Sequence, residues 1–210
     1  MFGGMNFFDA LLHAFSTAGT GGFSNKNSSV AYYDSAYIDG VITVFMILFG
    51  VNFNLYFLLR LRNWKEALKN EELHAYLGII AGSIAIISLN IVGMYGNILH
   101  AFRYASFQVA AIITTTGFCT ANYNLWPELS KTILLSLMII GACAGSTGGG
   151  IKVSRILISW KNLRKFCFTY WFMSSHWQLA ACWLQSEKKF LLWDSSALPW
   201  TGVLIPFIWI

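Results

Sequence analysis

Two stretches, Ser16-Thr17-Ala18-Gly19-Thr20-Gly21-Gly22-Phe23 and Thr114-Thr115-Thr116-Gly117-Phe118, combine small hydroxyl residues with glycine and carry no charge. Their chemical resource is the backbone carbonyl. Rings of carbonyl oxygens replace a cation's hydration shell, and glycine, which accepts positive φ, lets a short extended segment aim successive carbonyls at one axis. Gly22 and Gly117 stand at those turning positions, with threonines and serines able to hydrogen-bond the surrounding backbone. Taken singly, either stretch reads as an ordinary polar loop between helices. Two matching copies favour a cation pathway.

The copies match beyond their glycines. A shift of 95 residues pairs Phe7 with Phe102, Ala10 with Ala105, Thr20 with Thr115, Gly22 with Gly117, Phe23 with Phe118 and Asn27 with Asn122. Three of these identities fall within one four-residue stretch, the signature of an internal repeat. A third feature has no counterpart in this pairing: Gly141-Ala142-Cys143-Ala144-Gly145-Ser146-Thr147-Gly148-Gly149-Gly150-Ile151-Lys152. Each glycine in a helix costs about 1 kcal/mol relative to alanine, so a break or flexible loop is expected there. A phosphate-binding loop is a poor reading, because Ile151 separates Gly150 from Lys152, Val153 stands where Ser or Thr is needed, and an apolar helix pattern precedes it.

These segments need apolar elements to hold them. Apolar residues make up 56% of the 210 and charged ones 11%, against roughly 25% charged in soluble domains; mean hydropathy is +0.56. The chain therefore reads as an integral membrane protein. Runs long enough to span, about 20 residues, are Gly40 to Leu59 and Ala75 to Met94, and Leu129 to Gly141 begins a third. Asn6 to Ala18 and Asn97 to Ile113 are shorter and suit re-entrant segments, whose C-terminal ends would present partial negative charge to a cation. The net charge of +5 resides largely in two clusters after apolar runs, Arg60, Arg62, Lys65 and Lys69, then Lys152, Arg155, Lys161, Arg164 and Lys165. This is the positive-inside pattern, which places both clusters on one side and disfavours nucleic acid as a partner. No basic n-region follows Met1, so the start reads as the interior of a longer unit rather than a signal peptide.

Other residues carry lesser expectations. Asn52 and Asn54 suit interhelical hydrogen bonds, and Gly78 and Gly82 suit close helix packing. Asp9, His13 and His100 suit helix anchoring or contact with water. Cys119 and Cys143 suit apolar packing, and the four cysteines lack metal-ligand spacing. No nucleophile constellation or carboxylate pair has positional support, so an enzyme is not expected and no cofactor is implied.

The chain resembles the TrkH/TrkG group of bacterial potassium-uptake subunits within the Trk/Ktr/HKT superfamily. The resemblance rests on His13 to Thr17 running into Thr20 to Ser24, on Thr114 to Phe118, on Asn124-Leu125-Trp126-Pro127, and above all on Gly141 to Lys152; it covers about residues 1 to 165. It implies an all-α polytopic membrane protein built of helix/pore-loop/helix repeats, of which about two of four are present. Residues 1–70 would hold the pore loop and second helix of the second repeat, 71–165 the third repeat, and 166–210 a divergent Trp-rich tail. It implies K+ filter carbonyls from Thr20, Gly21, Gly22, Thr115, Thr116 and Gly117, and a gating loop over Gly145, Ser146, Thr147, Gly148, Gly149 and Gly150. It also implies a multi-pass place in the bacterial inner membrane among lipid, a homodimer, and a cytoplasmic nucleotide-binding regulatory subunit of the TrkA type. The alternative expectation is a truncated or frame-shifted remnant that conducts nothing and acts at most as a membrane scaffold. Potassium against sodium, and channel against coupled transport, stay open at this level.

Overall fold

The structure, a computed structural model, describes residues 3–63, 65 and 69–166. Among these the regular elements are helical: α1 (Phe7–Ala18), α2 (Ala36–Phe49), α3 (Phe53–Arg60), α4 (Glu71–Tyr95), α5 (Ile98–Ile113) and α6 (Glu128–Ile139). Residues 153–166 are also helical. The chain divides into units 1–159 and 160–210. In the second unit, 160–166 are described as helix, and the Trp-rich tail expected beyond them lies outside the described residues.

Helix α4 is long and apolar enough to cross a membrane, and α2 with α3 qualifies as a second span only as a broken pair. Asn70 starts α4 by accepting from the Glu72 and Leu73 amides, and Gly96 at φ +66° ends it, the expected left-handed stop. At about 24 Å for sixteen residues, α5 is shorter than a ~30 Å hydrocarbon core, which fits the expected re-entrant segment. Both short helices end as the repeat demands, α1 at Ala18 and α5 at Ile113, 95 residues apart.

Their burial differs. Helix α5 is sunk between two apolar clusters: Ala105, Val109 and Ile113 pack with Tyr76, Ile87 and Leu137, while Phe107, Ala110 and Ala111 pack with Ile42, Met46 and Phe118. Helix α1 buries Asp9, His13, Ser16 and Thr17 and exposes Phe7, Phe8 and Phe15. That stripe at i, i+4, i+7 and i+8 is the reverse of a water-soluble helix.

Three expectations need correction. Residues 40–59 are not one continuous helix: α2 stops at Gly50, α3 starts after Asn52, and the two are bent by 88°. Gly50 has no room for a side chain, since a Cβ there would lie 2.2 Å from the Tyr76 hydroxyl oxygen. Among the described residues neither Asn52 nor Asn54 makes a side-chain hydrogen bond between helices; the Asn52 side chain caps α3 by accepting from the Asn54 amide. Gly78 and Gly82 are not packing notches within the described chain, as a Cβ at either meets nothing within 4 Å.

One ion pair ties α2 to α5. The Arg103 Nε donates to Asp39 Oδ2 at 2.7 Å, and its Nη2 reaches Asp34 Oδ1 at 3.3 Å. The Arg103 and Asp39 side chains are 17% and 4% exposed, so removing one partner strands the other. Asp39→Ala is expected to cost about 3 kcal/mol, the lower end for breaking a buried pair. Thermal unfolding in detergent checks this, and Asp39→Leu with Arg103→Met should recover most of the loss.

Candidate functional site

The two Thr/Gly segments follow α1 and α5 directly and depart from helical geometry in the same way. Left-handed φ occurs at Thr20 (+50°) and Gly22 (+69°), then at Thr115 (+57°) and Gly117 (+81°), with neither intervening residue sharing it. Glycine takes this conformation freely. A β-branched residue does not, and each such threonine stores on the order of 1–3 kcal/mol that its surroundings must offset.

The segments touch. A Cβ built on Gly22 would lie 1.9 Å from the Thr116 carbonyl oxygen and 3.4 Å from the Gly117 carbonyl carbon. Thr114 and Thr116 are buried, their hydroxyls 2.8 Å apart, and Thr114 Oγ1 also donates to the Ala110 carbonyl. Gly21 is exposed, its N–H donating to the Ser16 carbonyl at 2.8 Å.

The surroundings that hold both threonines prove to be the Gly-rich loop. Thr20 Oγ1 donates to the Thr147 carbonyl at 3.0 Å, and Thr115 Oγ1 accepts from the Gly149 amide at 2.7 Å. The loop, spanning the gap between α6 and the helix at 153–166, is closed on itself. Gly141 N–H donates to the Ile151 carbonyl at 2.9 Å, Ile151 N–H to the Ile139 carbonyl at 3.2 Å, and Val153 N–H to the Ala142 carbonyl at 3.3 Å. Gly145 (φ +69°) and Gly150 (φ +73°) make its reversals, and Ser146 Oγ donates to the Cys143 carbonyl at 2.6 Å. Gly148 sits where a Cβ would be 3.0 Å from the Thr114 carbonyl oxygen.

The loop also leans on the break at 50–52. Cys143 N–H donates to the Gly50 carbonyl and Phe53 N–H to the Gly145 carbonyl, each at 3.1 Å. Glu72, in the first turn of α4, accepts from the Ala144 amide at 2.6 Å. Lys152, counted from sequence among the basic flanks, instead folds its ammonium onto the Gly148 carbonyl. Cys143 is fully buried in the core, as expected of a packing cysteine.

On the far side of the first segment, residues 24–33 fold back on α1. Asp9 accepts from Asn25 Nδ2 at 2.5 Å and from the Tyr33 hydroxyl at 2.7 Å, with Lys26 Nζ at 3.8 Å. Burial, and then the neighbouring Asp9, push the Tyr33 hydroxyl up to about 12, so it remains a donor. Asp9 and His13 thus anchor as expected, whereas His100 is exposed.

Thus all six residues expected to line a filter fall in two touching segments, and residues of the expected gating loop contact both. The sequence reading missed the left-handed threonines; their register with Gly22 and Gly117, two residues earlier in each copy, was the available signal. Thr115→Val preserves shape and removes the acceptor of the exposed Gly149 N–H, at a cost of ~0.5–1.5 kcal/mol. Faster deuterium exchange across residues 141–152 is the expected result.

Comparison with known proteins is consistent across sequence and structure. The family model TrkH, described as cation transport protein, matches residues 2–75 and 90–169. The Trk system potassium uptake protein TrkH of Salmonella typhimurium is 40% identical over 164 residues, 77% of this chain and 34% of that protein. TrkG of Escherichia coli, also a Trk system potassium uptake protein, is 35% identical over 165 residues, 76% of this chain and 33% of that one. The crystal structure of the potassium transporter TrkH from Vibrio parahaemolyticus superposes with a TM-score of 0.72 at 37% identity, covering 78% of this chain and 36% of that one. The chain spans about a third of the length of the curated relatives it matches.

Proposed function

The chain belongs to the TrkH family of cation transport proteins, and from that membership we propose that it forms two walls of a potassium filter in an uptake pathway across the bacterial inner membrane. Carbonyls of Thr20, Gly21 and Gly22 make one wall and those of Thr115, Thr116 and Gly117 the other. In the family's terms, residues 1–70 correspond to the pore loop and second helix of the second repeat and 71–165 to the third. The relatives named above are potassium uptake proteins, which is the basis for the choice of ion.

The observation that carries this reading is the repeated left-handed pair, Thr20 with Gly22 and Thr115 with Gly117, in segments that meet at Gly22 and Thr116. Strain of this kind persists where other contacts over-determine it. Presenting carbonyls to a dehydrated cation is a use that explains why both copies keep it. Gly145 to Gly150 act as the gate: the loop hydrogen-bonds both strained threonines, so its displacement removes what holds each filter segment. Two walls do not encircle an ion, so conduction by this chain requires a homodimer or further walls. The regulator is a cytoplasmic nucleotide-binding subunit of the TrkA type.

The test is growth on limiting potassium of cells lacking their own uptake systems, with rubidium entry as the direct measure. Rescue by the full chain is expected. Absence of rescue, together with potassium-independent stability of the purified chain, would establish the non-conducting scaffold instead.

A further inference from the structure

A single imidazole joins the exits of both Thr/Gly segments. His13 Nδ1 lies 2.7 Å from the Asp9 carbonyl oxygen, which can only accept, so Nδ1 carries the proton and Nε2 of the neutral ring accepts. Its partner is Ser24 Oγ at 3.1 Å, two residues beyond Gly22, and the same Oγ accepts from the Lys26 amide at 3.1 Å. The ring stacks on Phe118, centroids 5.6 Å apart and planes 24° apart. Phe118 is 1% exposed and directly follows Gly117. Tyr33 closes the other side edge-on at 5.8 Å.

The second copy repeats the tether with different chemistry. Gln108 and Cys119 stand 95 residues after His13 and Ser24, and Gln108 Nε2 lies 3.7 Å from Cys119 Sγ, a span of 11 residues in both copies. Gln108 is 1% exposed and its Nε2 also donates to the Ala121 carbonyl at 3.4 Å. Neither pair is an identity, so the repeat in sequence does not reveal them. The same span between a short helix and the residue two past the turning glycine, made by unlike residues, marks a geometric requirement.

We propose that His13 and Gln108 are positioning residues that pin the exit of each filter segment to its own short helix, and that His13 also fixes the separation between the two walls through Phe118. Discrimination between cations of different radius depends on how firmly the carbonyls hold their spacing, so these two side chains set ion preference without touching the ion. This rests on the filter reading above.

The experiment measures the concentrations of potassium and of sodium that half-maximally raise the melting temperature of the purified full chain in detergent, with choline as the inert reference. Ser24→Ala removes the tether's half-buried partner and leaves the packing of His13 intact; Cys119→Ala does so in the second copy. Each is expected to lower the potassium-over-sodium ratio about tenfold, the scale of one lost hydrogen bond to a buried group, while the melting temperature in choline stays near the parent's. Ser24→Cys combined with His13→Gln, which transplants the second copy's pair but removes the ring stacked on Phe118, should restore only part of the ratio. A ratio unchanged in both alanine variants overturns the positioning role alone. A parent chain that shows no preference overturns the filter reading and this inference with it.

Discussion

Gly22→Ala is expected to abolish potassium uptake, with rubidium entry falling on the order of a hundredfold, the scale on which a 1 Å misplacement acts in other positioned sites. The methyl group would lie 1.9 Å from the Thr116 carbonyl oxygen, where real Cβ atoms essentially never come within 3.0 Å of another atom. One segment must therefore move by more than an ångström. The obstacle is backbone, so no rotamer change relieves it. The left-handed φ of +69° adds ~1–2 kcal/mol of strain for any residue with a Cβ. Gly117→Ala separates the two effects. It carries the same kind of strain, at φ +81°, but its Cβ would meet nothing within 4 Å. Its loss of uptake is expected to be about tenfold. Equal losses at the two positions would show that the contact between the segments is irrelevant to transport.

Gly141→Ala is the second large effect, and it is expected in the loop rather than the filter. A Cβ there would lie 2.0 Å from the Gly149 carbonyl oxygen and 3.0 Å from the carbonyl carbon of Gly150. The Gly141 N–H bond to the Ile151 carbonyl lies at the Ile140–Ile151 bridge that closes the loop, so the substitution opens it at its base. Cys143, fully buried two residues on, reports the change. In a background with Cys119, Cys167 and Cys182 replaced by serine, maleimide should label Cys143 at least about tenfold faster, since each ~1.4 kcal/mol off the opening free energy multiplies the open population by ten. Because Gly149 also donates to Thr115, uptake should change in the same variant. Faster labelling with unaltered uptake would separate the loop from the pathway and remove its role as gate.

The parts of the fold that the sequence made legible are those in which one residue type is enough. Gly22 and Gly117 announce positive φ because glycine adopts it cheaply, and the glycine run from 141 to 150 announces a break because helix loses stability with each one. The extent of α1 and α5 followed from apolar runs too short to span. The break at 50–52 was less visible: Gly50 and Asn52 signal it, but apolar residues on both sides make a continuous run, and only the packing of Tyr76 and the Cys143 amide against Gly50 shows why the helix must stop there. Gly78 and Gly82 failed in the opposite direction, because a spacing motif does not say whether a partner occupies the face it offers.

Composition and local pattern alone marked this chain as a membrane protein with apolar runs near spanning length, an internal repeat at 95 residues and glycine-bearing turns at two equivalent points. Tertiary structure decided that Thr20 and Thr115 share the left-handed conformation of the glycines, that the loop around Thr147 and Gly149 holds them there, and that His13 and Gln108 each reach a residue 11 positions on with unlike groups. The physical reason is the range of the forces involved. A backbone preference is a property of one residue and its neighbours, whereas the Thr20 hydroxyl depends on a carbonyl 127 positions away. Strain that distant contacts offset is not set by local backbone preference.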